Sequence, residues 1–124
     1  VFEFSTVRPG LDLGRTGWLW VCQPRVERFV RATGDPAARN LPLGLVIPLL
    51  GELLGGARMW VNYGLNRVRF PGPLPADAFV RLHASVMEVV TKDGAVQVTL
   101  DLTVEVQHQA EPACVAEAVF RYYP

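Results

Sequence analysis

Asp35 is the residue whose type and setting best suit chemistry in this chain. It stands in the run Gly34-Asp35-Pro36-Ala37-Ala38-Arg39-Asn40, in a loop with polar company just past the end of an expected helix. A carboxylate placed there can take up a proton and return it, as general acid–base work on water requires. The plain alternative is an ordinary carboxylate following a helix. Asn40, further along the same loop, can orient water through its donor and acceptor sides but cannot shuttle a proton near neutral pH. The two histidines do not join this group. His83 shares a strand face with Arg81 and Ser85, and His108 lies where a long strand breaks into Gln109-Ala110-Glu111-Pro112, so both read as surface imidazoles. No spacing suggests a zinc site.

The elements that must hold this loop are legible from pattern. Arg8-Pro9-Gly10 is a turn signal, and Trp18, Trp20 and Cys22 alternate with Leu19 and Val21 as in a strand. A short helix starting near Pro24 puts Val26, Phe29 and Val30 on one face and stops at Gly34. From Leu43 to Leu54 nearly every residue is apolar, which predicts a helix buried on all sides, although Pro48 and Gly51 would kink or shorten it. Met59 to Phe70 reads as one strand, closed by the proline-rich Pro71 to Pro75. Val80, Leu82, Ala84 and Val86 form the inward set of the next strand, with Glu88 in phase with them. Asp93-Gly94 is the strongest hairpin signal. The run from Val96 to Val106 alternates without a break, and a last strand offers Cys114, Ala116, Ala118 and Phe120 to one face. A helix-rich half followed by antiparallel strands makes an α+β domain.

Composition bounds the partners. The 124 residues suit one domain, and 12 basic against 12 acidic side chains leave no net field to draw the chain to nucleic acid or an anionic membrane. The most apolar segment, Leu41 to Leu54, contains Glu52 and is too short to span a bilayer. No secretory signal is visible. Cys22 and Cys114 lie far apart in strand-like stretches, which reads as two buried free thiols in a reducing compartment, the cytoplasm by default.

Three segments also carry a resemblance: Ala32-Thr33-Gly34-Asp35, the motif from Asn62-Tyr63-Gly64-Leu65-Asn66-Arg67 to Pro71, and Pro112 to Ala118. In that order, over nearly the whole chain, they resemble the MaoC-like, NodN-like branch of the hot-dog fold, the R-specific enoyl thioester hydratases and dehydratases. The resemblance implies a single hot-dog domain over residues 1–124, an antiparallel curved sheet wrapped around a central apolar helix. It implies water addition to enoyl thioesters, or its removal from 3-hydroxyacyl thioesters, carried on coenzyme A or an acyl carrier protein, with no cofactor. Asp35 matches the family's catalytic aspartate, and Asn40 falls where the family has its catalytic histidine. Gly44 corresponds to the glycine whose amide opens the central helix and steadies charge on the thioester oxygen. The family reads His-Gly there and this chain reads Leu43-Gly44, so a glycine needed for packing is the alternative. Tyr63 falls on the strand near the acyl pocket and the dimer seam.

The family's longer loop between histidine and glycine is reduced here to Leu41-Pro42-Leu43. Either a genuine deletion reshapes the pocket, or residues are absent from the sequence at this point. The resemblance implies a homodimer paired sheet edge to sheet edge, or a heterodimer in which another hot-dog chain carries the Asp and His pair. A third reading is the same pocket repurposed for another hydrophobic molecule.

Overall fold

A computed structural model describes residues 4–55 and 60–123. A 3₁₀ turn (Phe4–Thr6) leads into β1 (Asp12–Arg15), β2 (Leu19–Trp20), α1 (Gln23–Thr33), α2 (Leu41–Gly44) and α3 (Val46–Leu53). Four longer strands follow: β3 (Trp60–Arg69), β4 (Phe79–Lys92), β5 (Ala95–Val106) and β6 (Cys114–Tyr122). Met59, expected in β3, lies outside the described residues. All pairings are antiparallel in the order β1-β4-β5-β6-β3, with β2 also beside β4.

The period-two pattern puts Leu82, Ala84, Leu100, Leu102, Ala116 and Ala118 on one buried face. Asp93 and Gly94 join β4 to β5 as a two-residue turn with φ of 52° and 76°, the positive values that a type I′ turn needs. Glu88 departs from its expected inward position. A bulge between Val86 and Glu88 inserts Met87, which leaves Glu88 exposed and lets Val89 pack on the core opposite Val98. The Trp18–Cys22 strand shrinks to Leu19–Trp20, with both tryptophans exposed.

The central helix departs further from expectation. It forms as two pieces meeting at Leu45, because Pro48 has no N–H for the Gly44 carbonyl and its ring crowds that oxygen. Leu45, Val46, Leu49, Leu50 and Leu54 are buried against the sheet, but Ile47 is 46% exposed and Pro48 and Gly51 share its open side. Burial on all sides is therefore not achieved by one chain: its sheet covers only one face of the helix, whatever the other face is made of.

On the outer face of the sheet, Glu105 accepts from Arg81 Nε at 2.6 Å and from Arg15 Nε at 3.2 Å, while Arg81 lies 4.3 Å over the Trp18 ring. Burial pushes the Glu105 carboxyl up, but the Arg81 and Arg15 bonds outweigh it and hold the group below its ordinary value of 4.5. A depressed folded-state pKa adds stability above the unfolded value that is lost as pH falls through the folded one. Glu105→Gln should therefore destabilise the fold by about 1 kcal/mol at pH 7. In thermal melts the gap between variant and wild type should narrow as pH falls below the ordinary carboxyl value of 4.5 and close once it passes the lowered folded-state value.

Candidate active site

The loop after α1 is organised by its own carboxylate. Gly34 takes the left-handed φ of 72° and returns its N–H to the Val30 carbonyl, ending the helix where the sequence pattern places its stop. Thr33 Oγ1 donates to the Phe29 carbonyl at 2.8 Å and accepts the Asp35 N–H at 3.2 Å. Asp35 Oδ1 then accepts the Ala37 N–H and Oδ2 the Arg39 N–H, each at 3.1 Å. The intervening Pro36, Ala37 and Ala38 offer no polar side chain, so the carboxylate fixes the turn together with the backbone bond from the Ala38 N–H to the Asp35 carbonyl at 3.1 Å. Ala38 is held at φ 49°, a conformation that costs a non-glycine residue about 1–2 kcal/mol. Each carboxylate oxygen retains acceptor capacity for water.

This loop forms the rim of a cavity of about 390 Å³ between α1, the α2–α3 helix and the sheet. The walls are largely apolar, with Phe29, Leu43, Ile47, Leu65 and Phe120 among them. Thr33, Asp35, Asn40 and Asn62 are the polar side chains of the lining, and of these Asp35 alone is ionisable. The fold thus brings Asp35, Asn40 and Gly44 to one cavity beside the first turn of the central helix.

Two expected site residues behave differently. The Gly44 N–H already donates to the Asn40 carbonyl at 3.0 Å, so the amide expected to steady the thioester oxygen is occupied. Packing does not demand glycine there either, since an added Cβ would sit 3.9 Å from the Phe29 ring, an ordinary contact. One residue earlier, the Leu43 N–H meets no acceptor among the described residues. Tyr63 does not line the cavity: its ring is 58% exposed, with the Arg121 guanidinium 3.9 Å from its centroid.

The reason for Tyr63 is a bulge between Asn62 and Gly64. Asn62 pairs with Phe120 and Leu65 with Ala118, so residues three apart both face the cavity and Tyr63 turns away. A regular strand would place them on opposite faces. Sequence pattern alone does not single out Asn62 and Leu65 as lining residues, although a glycine inside a strand is itself a bulge signal. Further along, Asn66 donates to Glu117 at 2.8 Å and Arg67 pairs with the same carboxylate at 3.4 Å, which makes both structural.

Neither histidine lines this cavity. His83 Nε2 contacts Asp12 Oδ1 at 2.9 Å on the outer sheet face, and Asp12 is held below its ordinary value first by the Gly14 N–H and then by His83. Both cysteines are free: Cys114 is buried, its thiol pushed up to about 11 by desolvation, whereas Cys22 is only half-buried. Among the described residues no group of three or more His, Cys, Asp or Glu could hold a metal ion, and no helix is long and apolar enough to cross a membrane.

A curled antiparallel sheet against an apolar helix, with a carboxylate at the mouth of a greasy cavity, defines a hot-dog domain suited to acyl ligands. Comparison with known proteins agrees. The 3-hydroxyacyl-thioester dehydratase Z of Mycobacterium tuberculosis is 36% identical over 135 aligned residues, covering 91% of this chain and 89% of its own length. A MaoC-like dehydratase from Rhodospirillum rubrum superposes with a TM-score of 0.76 at 12% identity, covering 99% of this chain and 97% of its own. The (R)-hydratase from A. caviae involved in PHA biosynthesis superposes at 0.74 with 18% identity, covering 97% and 99%. No protein-family model matches the chain. The chain belongs to the MaoC-like hydratase and dehydratase family of hot-dog proteins.

The same comparison bears on length. Since 91% of 124 residues is about 113 of the 135 aligned, about twenty positions of the mycobacterial relative have no counterpart here. This chain is therefore shorter than the relative within the aligned region.

Proposed function

We propose that this chain adds water across trans-2-enoyl thioesters, or removes it from 3-hydroxyacyl thioesters, as a carbon–oxygen lyase. The observation that carries the reading is a family member's apolar cavity in which Asp35 is the sole ionisable lining residue. In this mechanism Asp35 accepts a proton from a water that Asn40 orients. The water oxygen bonds to Cβ as the electrons of the Cα=Cβ bond move onto the thioester oxygen. Asp35 then returns the proton to Cα, and dehydration runs the same steps backward. No electrons leave the substrate, so the addition needs no redox cofactor. The acyl group is carried on coenzyme A or an acyl carrier protein. A proton relay with one titrating member is slow, because Asn40 cannot share the transfer.

We place a second hot-dog chain along β3. It is an edge strand whose Val61, Tyr63 and Leu65 are each at least 45% exposed, and pairing would cover both them and the open backbone edge. A second copy is the first choice of partner. Asn40 in the histidine position favours one other reading, a subunit that shapes the acyl cavity for a chain carrying the complete pair. Free thiols suit a reducing compartment such as the cytoplasm.

The test is hydration of crotonyl thioester, on coenzyme A and on acyl carrier protein, by the purified chain. Slow turnover is expected, and Asn40→His should raise it about 10²-fold or more by restoring the second proton carrier. No turnover by either protein on either carrier would overturn the reading, and copurification with a second hot-dog chain would favour the subunit role.

A further inference from the structure

The bond from the Gly44 N–H to the Asn40 carbonyl occupies the donor that the family resemblance assigned to the thioester oxygen, which leaves the open Leu43 N–H and the side chains of the lining as the donors to weigh. Hydration cannot do without one, since charge gathers on that oxygen as the new C–O bond forms, and donors fixed in an apolar site give the largest benefit there. We propose that Asn62 supplies it: its carboxamide Nδ2 donates to the thioester oxygen and stabilises the enolate. This inference rests on the hydratase reading above.

The position of Asn62 is fixed by the β3 bulge, which turns it to the cavity alongside Phe120. Its side chain is exposed and has no hydrogen-bond partner among the described residues, whereas Asn66 on the same strand is tied to Glu117 at 2.8 Å. The other carboxamide of the lining, Asn40, belongs to the Asp35 loop and serves the water. Asn62 projects from a different wall, so water and thioester oxygen can be held at once from two sides of the acyl group. A neutral amide also fits this role, because it donates to a developing anion without placing a cation among Phe29, Leu65 and Phe120.

Asn62→Leu keeps the size of the side chain and removes the donor. With crotonyl-CoA, kcat should fall about 10²- to 10³-fold while KM changes little, because the bond strengthens only as charge develops. Thermal melting should be unchanged, and Asn62→Asp, which offers no donor as a carboxylate, should fall as far. A kcat kept near the wild-type value, or a loss confined to KM, would overturn the proposal and leave the hydratase reading standing. If wild type turns over no thioester, calorimetric titration with acetoacetyl-CoA, which can bind as its enolate, decides separately. At least tenfold weaker binding to Asn62→Leu than to wild type would support the donor role, and equal binding or none would overturn it.

Discussion

Asp35→Asn is expected to lower the rate of enoyl thioester hydration by a factor on the order of 10² to 10⁴. The size follows from the cavity, not from the loop motif. Thr33, Asn40 and Asn62, the other polar side chains lining it, cannot exchange a proton near neutral pH, so nothing substitutes for the lost carboxylate. An asparagine would also present an N–H to one of the two backbone amides, from Ala37 and Arg39, that Asp35 now satisfies. Some loop stability should go with the activity, about 1–2 kcal/mol. Steady-state rates and thermal melts on the same preparations separate the two effects. A variant that stays folded and keeps more than a tenth of the wild-type rate would remove Asp35 from the reaction.

The second large effect is on the core. Leu50 is fully buried on α3, packed within the cluster that joins the helix to β4, β5 and β6. Leu50→Ala should cost about 3–4 kcal/mol, from lost burial together with the cavity left behind. Against a total stability of about 5–15 kcal/mol for a domain, that is a large share. Denaturant unfolding should show the lower midpoint with an unchanged slope. The helix is joined to the rest mainly by one buried face, with Ile47 and Pro48 left open, so few other contacts can absorb the loss. A cost below about 1 kcal/mol would mean that α3 is not the centre of the core.

The amino-acid sequence alone determined what local physics decides. Apolar alternation defined the inward faces of β5 and β6, Asp93-Gly94 the hairpin from β4 to β5, Gly34 the end of α1, and the Gly34-Asp35 run the loop that carries the carboxylate. Each depends on residues near one another in the chain, through side-chain period, positive φ or a capping bond. Tertiary structure decided the rest. Bulges in β3 and β4 turned Asn62 inward, Tyr63 outward and Glu88 to solvent, because a single inserted residue reverses a strand's faces and its position is set by the neighbouring strand. The Gly44 amide is taken by the Asn40 carbonyl four residues earlier, because the helix begins at Leu41 and not at Leu43. Which side of an all-apolar helix is covered is likewise fixed only when a sheet packs against it, since apolar residues all around carry no direction of their own.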